Sequence, residues 1–350
     1  MTADIFTEIH NFLLGFMSES ATHITELILI AVAYLGIFAV LGLFLVWLER
    51  RVAGFFQLRL GPNRVGPAGL FQTIADALKL VSKELTGTVK ADKQLYRIAP
   101  YFVITTALMS MSLIPFSQEI QAFDINIGLF FIISVSSIGV LGVFLAGWAS
   151  NNKYSLLGGM RTGIQMISYE LSVGMAIVTM VVLAGTLQIS EIVELQKNGW
   201  FIFTGHIPAI IAFMIFMIAG TAESNRTPFD LVEAESELGA GFHTEYSGMR
   251  FAYYFLAEFV NMFIIAAIAV VLFFGGWLSP FGITDAIPFA GLFWFGLKVI
   301  IVIFVFMWFR WTFPRLRIDQ LLTLEWKYLL PINMVNIVFM ALMVWLGLTF

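Results

Sequence analysis

The segment Ala222–Gly248 reads AESNRTPFDLVEAESELGAGFHTEYSG and lies between two apolar runs, Ile207–Ala222 and Phe251–Phe274, that both read as membrane crossings. It gathers Glu223, Asp230, Glu233, Glu235, Glu237 and Glu245 from a chain holding only 23 acids. With 59% apolar and 12% charged residues, the chain is far more apolar than a soluble domain, in which about a quarter of residues are charged. A chain of this kind gathers carboxylates at a membrane boundary when they handle cations, protons or polar ligands. The reading is an all-α integral membrane protein, and the acidic loop is the segment around which its spans are arranged.

Composition excludes several classes of chemistry. The 350 residues include no Cys, which removes disulfides, thiolate-held iron–sulfur clusters and Cys zinc sites, so any redox cluster must sit on another chain. The net charge of −4 and the lack of a basic, aromatic-interleaved patch give no nucleic-acid footprint. Nine Trp and nine Tyr fit interfacial anchoring, whereas 36 Phe exceed that need and must mostly face lipid or helix interfaces. The opening MTADIFTEIHNFLLGFMSESATH is acidic and amphipathic, and is expected to be an interfacial helix, not a cleavable signal.

Crossing the hydrocarbon core takes about 20 apolar residues. By that measure one polytopic domain with eight spans is expected, at residues 26–48, 98–116, 127–149, 163–184, 207–222, 251–274, 289–309 and 328–348. Cations then fix the orientation, because Lys- and Arg-rich loops stay on the cytoplasmic or matrix side. All 19 cations except Lys197 and Lys298 fall on one side of this topology, which puts the acidic loop, 222–250, on the cation-rich side and both termini outward. Between the first two spans, Gly61, Pro62, Gly66, Pro67 and Gly69 predict a rigid loop. Leu70, Phe71, Ile74, Leu78 and Val81 then recur at helical spacing and predict an amphipathic surface helix over 69–84. The glycine spacing of GPNRVGPAGL matches neither a dinucleotide nor a Walker loop, so no NADH site is expected.

Within the spans, Glu170 and Glu258 are costly positions for carboxylates, and intramembrane acids are functional candidates by default. Glu233 and Glu237 would share a helix face, with Glu235 pointing elsewhere. A solvated acidic loop with structural ion pairs is the alternative reading. Lys298, inside the seventh span, calls for a carboxylate partner, either as a structural pair or as part of a relay. Arg50, Arg51, Arg64, Arg161, Arg315 and Arg317 read first as topology and head-group contacts, and second as a docking surface. His10, His23, His206 and His243 all fall in terminal or loop segments, so single exposed histidines are expected, with neither a haem nor a metal site. These residues leave open a proton-handling subunit, a secondary transporter, or an anchor for a peripheral enzyme. A transporter would call for inverted repeats and broken midplane helices, which the sequence does not display.

Four motifs narrow this choice. GPNRVGPAGLFQTIADALKLVSKE, SNNKYSLLGGMRTGIQMISYE, the acidic loop and PRLRIDQLLTLEWKYLLP together resemble the H subunit of respiratory complex I, the proton-pumping NADH:quinone oxidoreductase, over about Leu48–Pro331. The resemblance implies a membrane subunit that is inactive alone, carries no haem, flavin or cluster, and uses ubiquinone or menaquinone as substrate in a chamber shared with peripheral subunits. It implies chamber residues at Arg50, Phe56, Gln57, Arg59, Gly61, Arg64, Phe71, Asp76, Lys79, Phe242 and Arg250. It also implies a proton path through Glu170, Glu223, Glu233, Glu235, Glu237, Glu245 and Glu258, with Asp76 near the chamber, to which Lys298 is added from its position in the spans. Partners would be the peripheral quinone-module and antiporter-like membrane subunits, together with lipids, in a bacterial plasma membrane or a mitochondrial inner membrane. Membrane-bound hydrogenases and formate-linked complexes carry a more distant version. Gly239, Leu85, Trp311 and Leu322 depart from the family pattern and touch only local loop packing.

Overall fold

A computed structural model of the chain describes residues 10–11, 14–15, 18–118, 120–231, 238–280 and 290–349. Every regular element among them is helical. The helices are α1 (Glu19–Phe56), α2 (Gln72–Ser82), α3 (Lys93–Ser112), α4 (Gly128–Ala149), α5 (Lys153–Ala184), α6 (Ile189–Leu195), α7 (His206–Glu223), α8 (Met249–Phe273), α9 (Ala290–Thr312) and α10 (Ile318–Trp345). Seven of them, α1, α4, α5 and α7 to α10, are long and apolar enough to cross a membrane. The second expected span corresponds to α3. Its 20 residues reach about 30 Å, one hydrocarbon thickness, but Lys93, Gln94 and Arg97 in its first turns dilute its hydropathy.

Three helices run well beyond the apolar windows. The 38-residue α1 continues through Glu49, Arg50 and Arg51 to Phe56, because no breaker occurs before Leu58 turns to φ 53°. The 32-residue α5 begins ten residues before its predicted span, where Asn152 caps it by accepting from the Tyr154 amide at 3.0 Å. Likewise α10 starts at Ile318 instead of 328, and contains a π-helical turn at Leu324–Leu329. Hydropathy locates only the stretch that suits lipid, whereas backbone hydrogen bonding carries a helix on until a cap or a left-handed residue stops it.

The bundle is built around α8, whose apolar window is 78% buried, against 11% for α1 and 22% for α10. Helix α8 packs on α1, α3, α7 and α9, so four other spans have a face against it. Helices α4 and α5 meet through small residues: a Cβ added to Gly147 would sit 2.9 Å from the Gly159 Cα, closer than packing allows. A second close approach brings the acidic loop down onto the bundle. A Cβ on Gly158 would lie 2.8 Å from the Phe242 nitrogen, so only glycine lets the turn Gly241–His243 rest on α5. Gly241 itself takes φ 63°, a left-handed conformation that glycine adopts without strain.

Candidate functional site

The predicted surface helix forms as α2, and it encloses a cleft of about 560 Å³ between itself, α1 and α8. Ala39, Leu43, Phe251, Ala252, Phe255 and Leu256 give the cleft apolar walls, while Arg50, Asp76 and Lys79 supply its polar groups. The Arg50 Nη1 donates to the Asp76 Oδ2 at 2.6 Å, and Gln72 supports the same carboxylate at 3.3 Å. The volume suits a drug-sized or ring-headed ligand, and apolar walls with a few placed polar groups are the usual composition of such sites.

The Gly/Pro loop is fastened to the end of α1. Trp47 Nε1 and Arg51 Nη1 both donate to the Ala68 carbonyl, at 3.1 and 3.0 Å. Gly61 packs on Arg51, and Gln57 accepts from Arg59 at 2.6 Å. Arg59, Arg64 and Phe71 are exposed, and Phe56 stacks on Phe304 at 6.4 Å. Of the residues expected around a quinone chamber, therefore, Arg50, Asp76 and Lys79 line the cleft, whereas those of the loop do not line it. Arg250 sits over the Tyr96 ring at 5.5 Å, away from the cleft lining. Phe242 lines a different cavity on the opposite face of α8, because the turn that carries it is seated on Gly158.

That second cavity lies within the bundle and mixes polar with apolar lining. It has a volume of about 50 Å³ and is lined by Glu223, Glu258, Asn225, Asn261, Ser110, Ser136 and Tyr254 among others. At roughly 10 to 15 Å³ per water, it has room for about three to five waters with several polar partners. Its acids come from different elements: Glu223 is the last residue of α7, and Glu258 lies nine residues into α8, about 14 Å along its axis. The Glu223 Oε2 is buried without a hydrogen-bond partner among the described residues. Glu170, on α5, accepts from the Ser137 hydroxyl of α4 and lies within electrostatic range of Glu223. Gln165 ties α5 to this end of α7 by donating to the Ala222 carbonyl at 2.8 Å.

A buried chain of charges joins the two sites. Arg226, with 5% of its side chain exposed, donates to Glu49 Oε2 at 2.9 Å and approaches Glu258 Oε1 at 3.3 Å. Its guanidinium lies 4.3 Å from the Phe259 ring centroid. Arg310 from α9 holds the other Glu49 oxygen. Glu49 immediately precedes Arg50 on α1, so Glu258–Arg226–Glu49 runs from the second cavity to the residue next to the cleft's own ion pair. Arg315 pairs with Asp230 at 3.1 Å. Arg50 and Arg315, expected as head-group contacts, also hold carboxylates of the chain itself.

The expected carboxylate partner of Lys298 is not what the described residues supply. Among the described residues Lys298 meets no carboxylate: its ammonium donates to the carbonyls of Phe274, Gly276 and Leu278 at 2.7, 2.9 and 2.7 Å. Those carbonyls belong to the turn that follows α8, where Gly275 and Gly276 take positive φ, and the three donors of one ammonium hold that turn together. Glu245 is held by the Asn152 amide at 2.6 Å, outside the cavity lining. Glu233, Glu235 and Glu237 lie outside the described residues. The sequence reading missed Glu49 and Glu325. The latter is fully buried, accepting from Ser172 at 2.5 Å with its second oxygen unpartnered among the described residues, because the π turn winds it into the bundle.

The turn over the cavity has its own acid sensitivity. His243 is packed between Phe242 and Phe251, at ring distances of 5.0 and 5.2 Å, and is not a freely exposed histidine. Desolvation lowers its pKa from the ordinary 6.5 to about 4. A lowered imidazole pKa contributes stability that is fully present above 6.5 and is lost as the pH falls through about 4, since the opened loop binds the proton more readily. Burial also raises the pKa of Tyr246, which stacks on Tyr96 at 4.2 Å and keeps its phenol neutral in the same cluster. Amide protection over residues 238–250, taken relative to the intrinsic exchange rate at each pH, is expected to fall between pH 6.5 and 4, and His243→Phe should flatten that dependence.

Comparison with known proteins accords with this geometry. The chain matches the family described as NADH dehydrogenase over residues 27–341. It is 55% identical over 350 residues to the NADH-quinone oxidoreductase H subunit of Bacteroides fragilis, covering 98% of this chain and 97% of that protein. The H subunit of Bacteroides thetaiotaomicron is 54% identical with the same coverage, and that of Brevibacillus brevis 48% identical over 322 residues, covering 91% of this chain and 94% of its own.

Proposed function

Because the chain belongs to the H-subunit family of NADH-quinone oxidoreductase, and is thus a membrane subunit of that multi-subunit enzyme, we propose that its cleft admits a quinone and that its buried acids pass the consequence of quinone reduction into the membrane. One observation carries the reading: α8 forms a wall of the apolar cleft and, on its other face, a wall of the acid-lined cavity. Phe251, Ala252, Phe255 and Leu256 face the cleft, while Tyr254, Glu258 and Asn261 face the cavity.

The division of labour follows from these surroundings. The cleft's apolar walls accept an isoprenoid tail, and Arg50, Asp76 and Lys79 provide the charged end that a polar headgroup passes. A quinone that gains electrons becomes a stronger base or an anion, which changes the field on carboxylates nearby. Asp76, Glu49 and Glu258, linked through Arg50 and Arg226, lie along the line on which that field acts. Glu223 and Glu170 extend it toward α4 and α5 and, with the waters the cavity can hold, supply proton-accepting sites that titrate as a coupled group. Glu233, Glu235, Glu237 and Glu245 belong to the same proposed path at its loop end, whereas Lys298 is assigned to holding the turn after α8.

With no Cys on the chain, the electrons reach the quinone from clusters held by peripheral partner subunits. The largely uncovered α1 is placed against lipid or a neighbouring membrane subunit. The complex is assigned to a bacterial plasma membrane, with both termini outward. A membrane-bound hydrogenase relative is the competing assignment, and a nickel subunit in the purified complex would favour it. The cleft is tested by Ala252→Trp, which places an indole between α2 and α8. The KM for a long-tailed quinone is expected to rise about tenfold, with NADH oxidation by a soluble acceptor unchanged. An unchanged KM would remove the cleft from the quinone's route.

A further inference from the structure

At the opposite end of α1 from the cleft, three ligand-type side chains converge without any part in the function proposed above. His10 Nδ1 lies 2.6 Å from Glu26 Oε1, and His23 Nδ1 lies 3.4 Å from Glu26 Oε2. The two imidazole rings are 5.6 Å apart, and one ligand atom from each of the three residues falls within 4.8 Å of the others. His23 and Glu26 stand one turn apart on α1, while His10, from the chain before that helix, meets the same face. We propose that His10, His23 and Glu26 form a binding site for a divalent transition cation of the zinc class, which clamps the N-terminal segment to the first turns of α1.

The donor set favours this class of ion. Two neutral imidazoles and one carboxylate match the three-ligand sites of zinc, in which a water takes the fourth tetrahedral position. Calcium and magnesium need mainly oxygen ligands, so they fit poorly. At bond lengths of about 2.0–2.2 Å, tetrahedral ligand atoms stand roughly 3.3–3.5 Å apart. The His23 Nδ1–Glu26 Oε2 distance of 3.4 Å already meets that spacing, and His10, which contacts the other oxygen, Oε1, at 2.6 Å, has to exchange that contact for one to the ion by a turn of the carboxylate and the ring. Rotation about the side-chain torsions supplies such a movement, because the side chains of His10 and His23 are 32% and 61% exposed and that of Glu26 is 24% exposed.

The site is also open to the ion from solution. Glu26 and Arg50 are separated by 24 residues of continuous helix, or about 36 Å, which puts this cluster on the other side of the membrane from the cleft. Its occupancy is therefore a property independent of the quinone reading, and each can fail without the other.

The experiment titrates Zn²⁺ into the intact purified complex against a fluorescent zinc chelator. It uses the wild type and the His10→Ala, His23→Ala and Glu26→Gln variants, with metal-free NADH:quinone activity as the check on assembly. The wild type is expected to bind one ion more than the variants at micromolar Zn²⁺, or the same ion at least tenfold more tightly. X-ray absorption on wild type loaded with one equivalent should show two imidazoles and a carboxylate oxygen around zinc, a measurement that holds even if a variant fails to assemble. Equal stoichiometry and affinity in all four proteins, or a zinc shell without imidazole, would overturn the assignment.

Discussion

Arg226→Met is expected to abolish assembly of the enzyme, and adding Glu258→Gln to that variant is expected to restore assembly without restoring proton translocation. Arg226 is buried and stands between Glu49 and Glu258, with Arg310 sharing only the Glu49 side. Removing one partner of a buried ion pair costs about 3–5 kcal/mol, since it strands a charge away from water. Here Glu258 loses the guanidinium that stands 3.3 Å from it, at the wall of a small cavity within the bundle. Neutralising it removes the penalty, whereas Glu49 keeps Arg310. If Glu258 served only to balance Arg226, the double variant would recover both the level of the complex on a native gel and its pumping. Recovery of assembly alone, with quinone reduction at least partly retained, separates the structural demand of the pair from its part in coupling. A single Arg226→Met variant that assembles normally would show that the buried chain carries neither.

The sequence disclosed the spans and the sidedness of the charges because both depend on residue type alone: apolar windows of about 20 residues, and cations kept to one side. Glu170, Glu223 and Glu258 were visible as acids inside or at the edge of such windows. Glu49 was not, since it stands beside Arg50 and Arg51 at the end of an apolar run and reads as the start of a loop. Only the continuation of α1 to Phe56 turns it inward toward Arg226 and Arg310. Glu325 was hidden for a related reason, as the helix begins ten residues before its apolar window and a π turn rotates that acid into the bundle. Lys298 was visible as a buried cation, but its partners are carbonyls, which every residue carries and no sequence pattern marks. His23 and Glu26 have the spacing of a shared helix face, a signal within reach of sequence reading. His10, which completes their cluster, comes from outside the helix, and no periodicity encodes its arrival.

Glu223→Gln is expected to leave assembly and the affinity for quinone intact while lowering coupled turnover by at least about 100-fold, the lower end of the 10²- to 10⁴-fold range that a positioned proton carrier commands. Three features single it out from its neighbours. Glu258 has Arg226 at 3.3 Å and Glu170 has the Ser137 hydroxyl, whereas Glu223 keeps one oxygen buried with no hydrogen-bond partner among the described residues. It also lines the cavity that can hold water, so a proton can reach it from the Glu258 side. Its place at the last residue of α7 further puts it between the acidic loop and Glu170. Glutamine keeps the shape and the neutral hydrogen-bonding capacity of a protonated glutamate, so the packing around Gln165, Ala222 and Asn225 should survive. What it cannot do is give up a proton. Quinone reduction and proton translocation must be measured separately in sealed vesicles, because a carrier in the path stalls both, whereas an acid beside the path alters neither. Glu223→Asp should recover part of the rate, since it restores a titrating carboxyl about one methylene short of the cavity. A Glu223→Gln complex that pumps at the wild-type rate would exclude this acid from the path, and leave the cavity between Glu258 and Glu170 as a space that water alone must bridge.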